Sequence, residues 1–242
     1  MNNPTIVAEL SANIAGNGTV GGLQHALHTV EAAASAGADA IKLQTWTPGT
    51  MVIDPAYRIQ HGAWAGQNLA ELYRQAWTPW DWHRPLFARA KALGMEAWST
   101  PFDRQSVEFL ETLCCPRYKV ASFEILDIAL LKALGNTGKP IIISTGMASI
   151  AEIADAIDAV RSGSPRNFLG ANITLLKCTS AYPAEPREIN LRTMADMKHR
   201  PLEIMPLDRR SADPRISVGL SDHTMGSAVA VAATALGATM IE

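Results

Sequence analysis

The sequence predicts an α/β fold: a parallel (β/α)8 TIM barrel that occupies residues 1–242 as one domain and ends within its eighth strand. Three observations predict it. Short apolar runs alternate with Ala/Leu-rich helical stretches along the whole chain. Several of those runs are continuously apolar, as parallel strands covered on both faces are. Most end in Lys, Ser, Thr, Glu or His, which is how a barrel gathers chemistry at one rim. A doubly wound open sheet is the alternative. It lacks its expected mark, because no Gly-x-Gly-x-x-Gly follows the first strand.

The elements follow in order. Thr5–Glu9 is the first strand. The helical stretch Gly21–Ala36 ends at Gly37, a C-cap candidate, and leads into the strand Ala40–Thr45. Thr47 to His83 breaks the rhythm; it is long and rich in aromatic residues (Trp64, Tyr73, Trp77, Trp80, Trp82), as functional loops are. Arg84–Leu93 then runs to Gly94, before the strand Glu96–Thr100. Asp103 is an N-cap candidate for Arg104–Leu113. Tyr118–Ser122 is the fourth strand, and Ile125–Leu134 the next helix, stopped by Gly135. Pro140–Ser144 is the fifth strand. Ser149 and Glu152 form a capping box for Ile150–Arg161. Ile173–Thr179 is the sixth strand and Leu191–Met197 a short helix. Arg200–Pro214, charged and Pro-rich, reads as a surface excursion. Ile216–Ser221, the helix Ser227–Leu236 with Gly237, and the strand Ala238–Glu242 complete the chain.

Composition narrows the function. Hydrophobic residues make up 48% and charged ones 18%, which supports a large core and argues against disorder. The formal charge is −2 with no basic tract, so no nucleic-acid partner is expected. Ala228–Ala235 is too short to span a bilayer, and Met1-Asn2-Asn3-Pro4 lacks the features of a signal peptide. Cys114, Cys115 and Cys178 form no Cys-x-x-Cys pair and read as reduced thiols of a cytoplasmic protein, with Cys178 structural.

The polar strand tips carry the candidate chemistry. Glu9 ends the first strand, with Ser11 and Asn13 beyond it. Lys42 lies inside the second. A lysine aimed into an apolar layer would cost several kcal/mol unless paired, so it is expected to meet an anion. Thr100, Lys119, Ser122 and Glu124 follow. At Ser144-Thr145-Gly146, backbone amides freed by glycine suit phosphate oxygens. Lys177, Thr179, Ser180 and Tyr182 end the sixth strand, and Ser221, Asp222 and His223 the seventh. Lysines, hydroxyls and two acids imply a small, multiply anionic substrate such as a phosphorylated carboxylate. His223 is either a structural hydrogen-bonding residue or a metal ligand whose tautomer a carboxylate or carbonyl partner fixes. His83 reads as a packing or loop residue, and His25 and His28 as surface residues.

Seven segments, in order, resemble the sialic acid synthase family: Ala-Glu-Leu-Ser-Ala-Asn (8–13), Ile-Lys-Leu-Gln-Thr (41–45), Ser-Thr-Pro-Phe (99–102), Tyr-Lys-Val-Ala-Ser-Phe-Glu (118–124), Ile-Ser-Thr-Gly-Met (143–147), Lys-Cys-Thr-Ser-Ala-Tyr-Pro (177–183) and Gly-Leu-Ser-Asp-His-Thr (219–224). Leu69–Tyr73, Thr78–His83 and the Ala-Ser-Phe-Glu form are similar to the pseudaminic acid synthase branch. The resemblance implies condensation of phosphoenolpyruvate with an open-chain amino-sugar aldehyde, a 2,4-diacetamido-2,4,6-trideoxy-altrose in that branch, and release of phosphate by C–O cleavage. It implies a divalent metal, Mn2+ or Mg2+, with His223 as one ligand. It gives Lys42, Thr100, Lys119, Ser122, Ser144, Ser180, Tyr182 and Ser221 to phosphoenolpyruvate, and places Glu9 and Glu124 near the sugar and the reacting carbonyl. Glu124 is assigned general acid–base work, with Glu9 and Lys119 the other catalytic candidates.

Three departures stand beside the match. Asn13, a substrate-binding candidate, is followed by Ile14 where the family usually has histidine, so a hydrogen bond from that imidazole is lost. The second metal histidine of the family lies two residues beyond the position of Glu242. The family's C-terminal antifreeze-like domain, through which its members form homodimers, is absent. The sequence therefore reads as a C-terminally truncated synthase of low or no expected activity. Three rival readings stay open: a neuraminate or legionaminate synthase with the same chemistry, a Schiff-base aldolase using Lys119 or Lys177, and a fragment that binds phosphoenolpyruvate without turnover.

Overall fold

A computed structural model describes residues 3–11, 14, 22–61, 64–164, 172–204 and 216–242. Eight strands run in sequence order around a closed barrel: β1 (Thr5–Glu9), β2 (Ala40–Thr45), β3 (Glu96–Pro101), β4 (Tyr118–Val120), β5 (Ile141–Ser144), β6 (Ile173–Cys178), β7 (Ile216–Ser221) and β8 (Met240–Ile241). The fold class is the expected one. The intervening helices are α1 (Gly22–Ser35), α2 (Leu69–Ala76), α3 (Trp80–Ala92), α4 (Arg104–Thr112), α5 (Ile128–Asn136), α6 (Ile150–Gly163), α7 (Thr193–Ile204) and α8 (Ala228–Ala235). Among the described residues no helix is long and apolar enough to cross a membrane.

The chain forms two compact units, Ala8–Cys115 and Met1–Val7 with Pro116–Glu242. In the first, β2 and β3 pair in parallel with Ile41 opposite Ala97 and Lys42 opposite Trp98. Successive strand residues point to opposite faces. Ile41, Leu43 and Ala97 pack with Ala26 and Val30 of α1 and with Leu86 and Ala90 of α3. Lys42, Gln44, Trp98 and Thr100 therefore point away from those helices. In the second unit β4 to β8 pair in parallel and β8 pairs with β1, with Thr5 opposite Met240.

Several caps are those the sequence signals. Asp103 accepts from Ser106 N–H at 2.7 Å, and Ser149 and Glu152 close a capping box. Other expectations are corrected. The Trp-rich stretch is not all loop, because Asn68 caps α2 by accepting from Glu71 N–H at 2.9 Å. Helix α3 begins at Trp80, a turn before the predicted Arg84, held there by bonds from Trp80 and His83. Glu124–Leu126 is a separate 3-10 turn, and Asp127 caps α5 by accepting from Leu130 N–H. Gly135 does not end that helix. It lies inside, where a Cβ would sit 2.0 Å from the Val160 carbonyl oxygen, so it is glycine because α5 and α6 pack backbone to backbone. Helix α7 runs on to Ile204, so the predicted surface excursion begins as helix; its remainder, 205–215, lies outside the described residues.

Candidate active site

In the first unit the candidates form one connected network. Lys42, 4% exposed, makes an ion pair with Glu9. The lysine thus meets its anion within the fold, which offsets the cost of burying the ammonium. Glu9 Oε1 also accepts from Gln44 Nε2 at 3.2 Å, and Gln44 Oε1 accepts from Trp46 Nε1 at 3.3 Å. Trp46 packs edge-on against Tyr73, and its carbonyl accepts from Trp80 Nε1 at 3.1 Å. Thr100 is buried, and its hydroxyl has no hydrogen-bond partner, as expected of a donor kept for a ligand.

Behind that network, on the helical face, lies a second one. Thr45 Oγ1 is 2.8 Å from His83 Nε2 and 2.6 Å from Ser99 Oγ, and His83 Nδ1 is 3.3 Å from the Pro79 carbonyl. A carbonyl only accepts, so Nδ1 carries the proton, Nε2 accepts from Thr45, and Thr45 accepts from Ser99. All three side chains are buried. Burial pushes the His83 pKa down to about 4, so the ring is neutral. The expected packing residue is a polar brace between α3 and the two strands.

The second unit holds the larger set. Lys119 of β4 is 3% exposed and donates to Glu242 Oε1 at 3.1 Å. Strand register puts Lys119 level with Ile142 and Ser144 level with Leu176 and, in turn, Gly219. Lys119, Ser144 and Ser221 thus share one face. The buried Ser144 hydroxyl has no hydrogen-bond partner. Gly146 N–H donates to Ser122 Oγ at 3.2 Å, and a Cβ on Gly146 would lie 2.8 Å from Ser122 Oγ and 2.5 Å from Ser180 Oγ. Loops after three successive strands thereby bring two hydroxyls against one glycine backbone, a cradle suited to anionic oxygens.

Glu124 stands next to this cradle in sequence. Burial raises its pKa; its backbone hydrogen bond and the nearby Lys119 charge pull it back only in part. Its Oε2 has no hydrogen-bond partner. Lys177, by contrast, is level with Leu220, on the face opposite Lys119. Its Nζ turns back to the Cys178 carbonyl at 2.8 Å and Thr179 Oγ1 at 3.1 Å. Burial lowers its pKa, but this orientation does not favour the Schiff-base role. Cys178 is buried at the end of β6, in keeping with a structural thiol.

His223 Nδ1 lies 2.8 Å from the Thr179 carbonyl, so Nδ1 donates and Nε2 keeps its lone pair. The exposed Tyr182 ring lies over the imidazole with centroids 4.1 Å apart. Asp222 does not orient the ring; its carboxylate accepts from Thr224 N–H and Oγ1 instead. His223 fits one position of a metal site. Among the described residues, no group of three His, Cys, Asp or Glu side chains completes one. Asn13 lies outside the described residues.

Gly146 was singled out from sequence as an anion cradle; Gln44, Trp46 and Glu242 were not. Glu242 is 123 residues from Lys119, beyond any local pattern. Gln44 stands inside a segment already flagged, Ile-Lys-Leu-Gln-Thr.

Residues 29–242 match the model of the NeuB family. The chain is 44% identical over 243 residues to the pseudaminic acid synthase of Helicobacter pylori, covering 99% of this chain and 64% of that protein. It is 36% identical to the pseudaminic acid synthase of Campylobacter jejuni, covering 98% of this chain and 63% of the relative. The chain thus spans just under two thirds of the length of these two relatives. A crystal structure of N-acetylneuraminic acid synthetase from Leptospira borgpetersenii, in complex with citrate, superposes with a TM-score of 0.79 at 26% identity over all of this chain and 72% of that one.

Proposed function

The chain belongs to the NeuB family, and from that premise we propose that it is the barrel of a pseudaminic acid synthase, condensing phosphoenolpyruvate with a 2,4-diacetamido-2,4,6-trideoxy sugar aldehyde. The Gly146 cradle, walled by Ser122 and Ser180, is the observation that carries the anion-binding half of this reading. The 44% identity to a pseudaminic acid synthase favours that acceptor over other nonulosonic acid precursors.

Ser122, Ser180, Ser221, Tyr182, the unpartnered Ser144 hydroxyl and the Lys119 ammonium are the proposed holders of the phosphoenolpyruvate anion. Lys42 and Thr100 take the anion-holding role that the resemblance implies. C3 of the enol ester attacks the aldehyde carbon and forms the new C–C bond. The aldehyde oxygen takes a proton and becomes a hydroxyl. Water adds at C2, and the C2–O bond breaks, so phosphate leaves with the bridging oxygen and a 2-keto acid remains. Glu124, whose burial favours the protonated form, is the proposed donor to the aldehyde oxygen and recovers a proton from the water. A divalent cation, manganese or magnesium, would polarise that oxygen, with His223 Nε2 as one ligand. A cytoplasmic location agrees with phosphoenolpyruvate as substrate.

The test uses phosphoenolpyruvate carrying 18O at the bridging position, with the diacetamido acceptor and Mn2+. Mass spectrometry should find the label in released phosphate and a nonulosonic acid product. Calorimetry should show phosphoenolpyruvate binding. No binding, or label retained in the carbon product, overturns the reading.

A further inference from the structure

The network Lys42–Glu9–Gln44–Trp46 contains a group whose orientation is dictated by its two neighbours. An indole N–H can only donate, and a carboxylate can only accept. Gln44 lies between the two, 3.3 Å from Trp46 Nε1 and 3.2 Å from Glu9 Oε1. Its amide oxygen must therefore face Trp46, and its NH2 must face Glu9. The reverse orientation would set N–H against N–H and oxygen against a carboxylate. The amide orientation follows from this chemistry.

Trp46 is itself held. Its ring meets Tyr73 of α2 edge-on at 5.2 Å, and its carbonyl accepts from Trp80 Nε1 at the start of α3. On the other face of β2, His83 of the same helical turn fixes Thr45. The tip of β2 is thus pinned on both faces, with Trp46 only 4% exposed. At the other end of the relay, the Glu9 side chain is 32% exposed, with Oε2 buried against Lys42. Lys42 and Gln44 occupy the carboxylate with donors from within the protein, and an acceptor-only group so held recognises a further donor.

We propose that Trp46 is a positioning residue: through Gln44 it fixes the Glu9 carboxylate to accept hydrogen bonds from the hydroxyl or acetamido N–H groups of the sugar acceptor. This rests on the synthase reading for its ligand, but the relay itself is a property of the first unit alone. Trp46 touches no substrate in this account. It acts by denying Gln44 its other orientation and by keeping the amide within reach of Glu9.

The test is a double-mutant cycle with Trp46→Phe and Gln44→Met, read by calorimetry with the acceptor reduced to its alditol, which binds without turnover. Loss of one neutral hydrogen bond predicts acceptor affinity lower by about three- to tenfold in Trp46→Phe, with phosphoenolpyruvate affinity unchanged. In the Gln44→Met background the Trp46→Phe change should have no further effect. Independently, the Gln44 side-chain amide resonances in 15N-edited NMR should shift in Trp46→Phe. If Trp46→Phe does not fold, Gln44→Met must still lower alditol affinity while sparing phosphoenolpyruvate, or the proposal falls. Equal losses for both ligands, an undiminished Trp46→Phe effect in the Gln44→Met background, or unshifted Gln44 resonances would each overturn it. A wild-type chain that binds neither ligand would sink the synthase reading instead, and the NMR readout would still decide the relay.

Discussion

Lys119 Nζ donates to Glu242 Oε1 across 3.1 Å, and both side chains are nearly sealed from water, at 4% and 6% exposed. Removing one member of such a pair leaves a buried charge uncompensated and costs about 3–5 kcal/mol. Lys119→Met is therefore expected to lower unfolding free energy by about that amount in urea titrations, and to abolish phosphoenolpyruvate binding. Glu242→Gln keeps a neutral acceptor for Lys119 and should cost less, with phosphoenolpyruvate binding retained. Equal stability of Lys119→Met and wild type would show that the pair is not formed.

Glu124, the proposed proton donor, must be protonated to act, so turnover should fall as pH rises through its raised pKa. Its folded pKa is raised above the ordinary 4.5 by burial. The folded state holds this proton more tightly than the unfolded chain does. The stabilisation is fully present below 4.5 and is lost as pH rises through the raised value. Glu124→Gln should thus be more stable relative to wild type at pH 7 than at pH 4, and should slow turnover by about 10²–10⁴-fold, the range of one acid–base group. Parallel stability curves for the two proteins would refute the burial argument.

Two glycines separate binding from packing. In Gly146→Ala the new methyl meets the ends of two serine side chains, which can rotate aside. Phosphoenolpyruvate affinity should fall sharply while the melting temperature changes little. In Gly135→Ala the methyl meets the Val160 backbone, which cannot turn away, and the expected loss is at least about 1–3 kcal/mol. A Gly146→Ala protein that binds normally would remove the cradle from the proposed site.

His83 sets a different pH response. Its pKa falls from 6.5 to about 4 on folding, because desolvation disfavours the imidazolium. The unfolded state binds more protons between those values, so stability should rise with pH across that window. The slope is about 1.4 kcal/mol per pH unit, or about 3 kcal/mol in all. His83→Asn should flatten this segment of the stability–pH curve and lose the bond to Thr45. An unchanged slope would mean that the ring is hydrated in the folded protein.

The strand pattern and most caps were legible in the sequence, because continuous apolar runs and Ser, Asp and Gly punctuation are local signals. Facing was not. Lys119 and Lys177 both look like strand lysines, yet register turns them to opposite faces, and register depends on the neighbouring strand. Gly135 carried a false stop signal, because close helix packing asks for the same residue as a C-cap. Helix α2 was hidden in an aromatic stretch although Asn68 and Glu71 spelled its start. The partnership of Glu9 with Lys42 was within reach, since a buried lysine needs an acid. The amide between Glu9 and Trp46 was not, because nothing in Gln44 distinguishes a spacer from a bridging amide.

The pairing of Thr5 with Met240 and Ile6 with Ile241 has a consequence for synthesis on the ribosome. In a nascent chain β1 emerges long before β8, the strand that covers this edge. While the segment between them is made, an apolar hydrogen-bonding edge is left without its mate. The β2–β3 ladder, in contrast, completes early and close by in the chain. Ribosome-stalled intermediates should therefore show protection at β2 and β3 well before β1, and they are the species most in need of a chaperone.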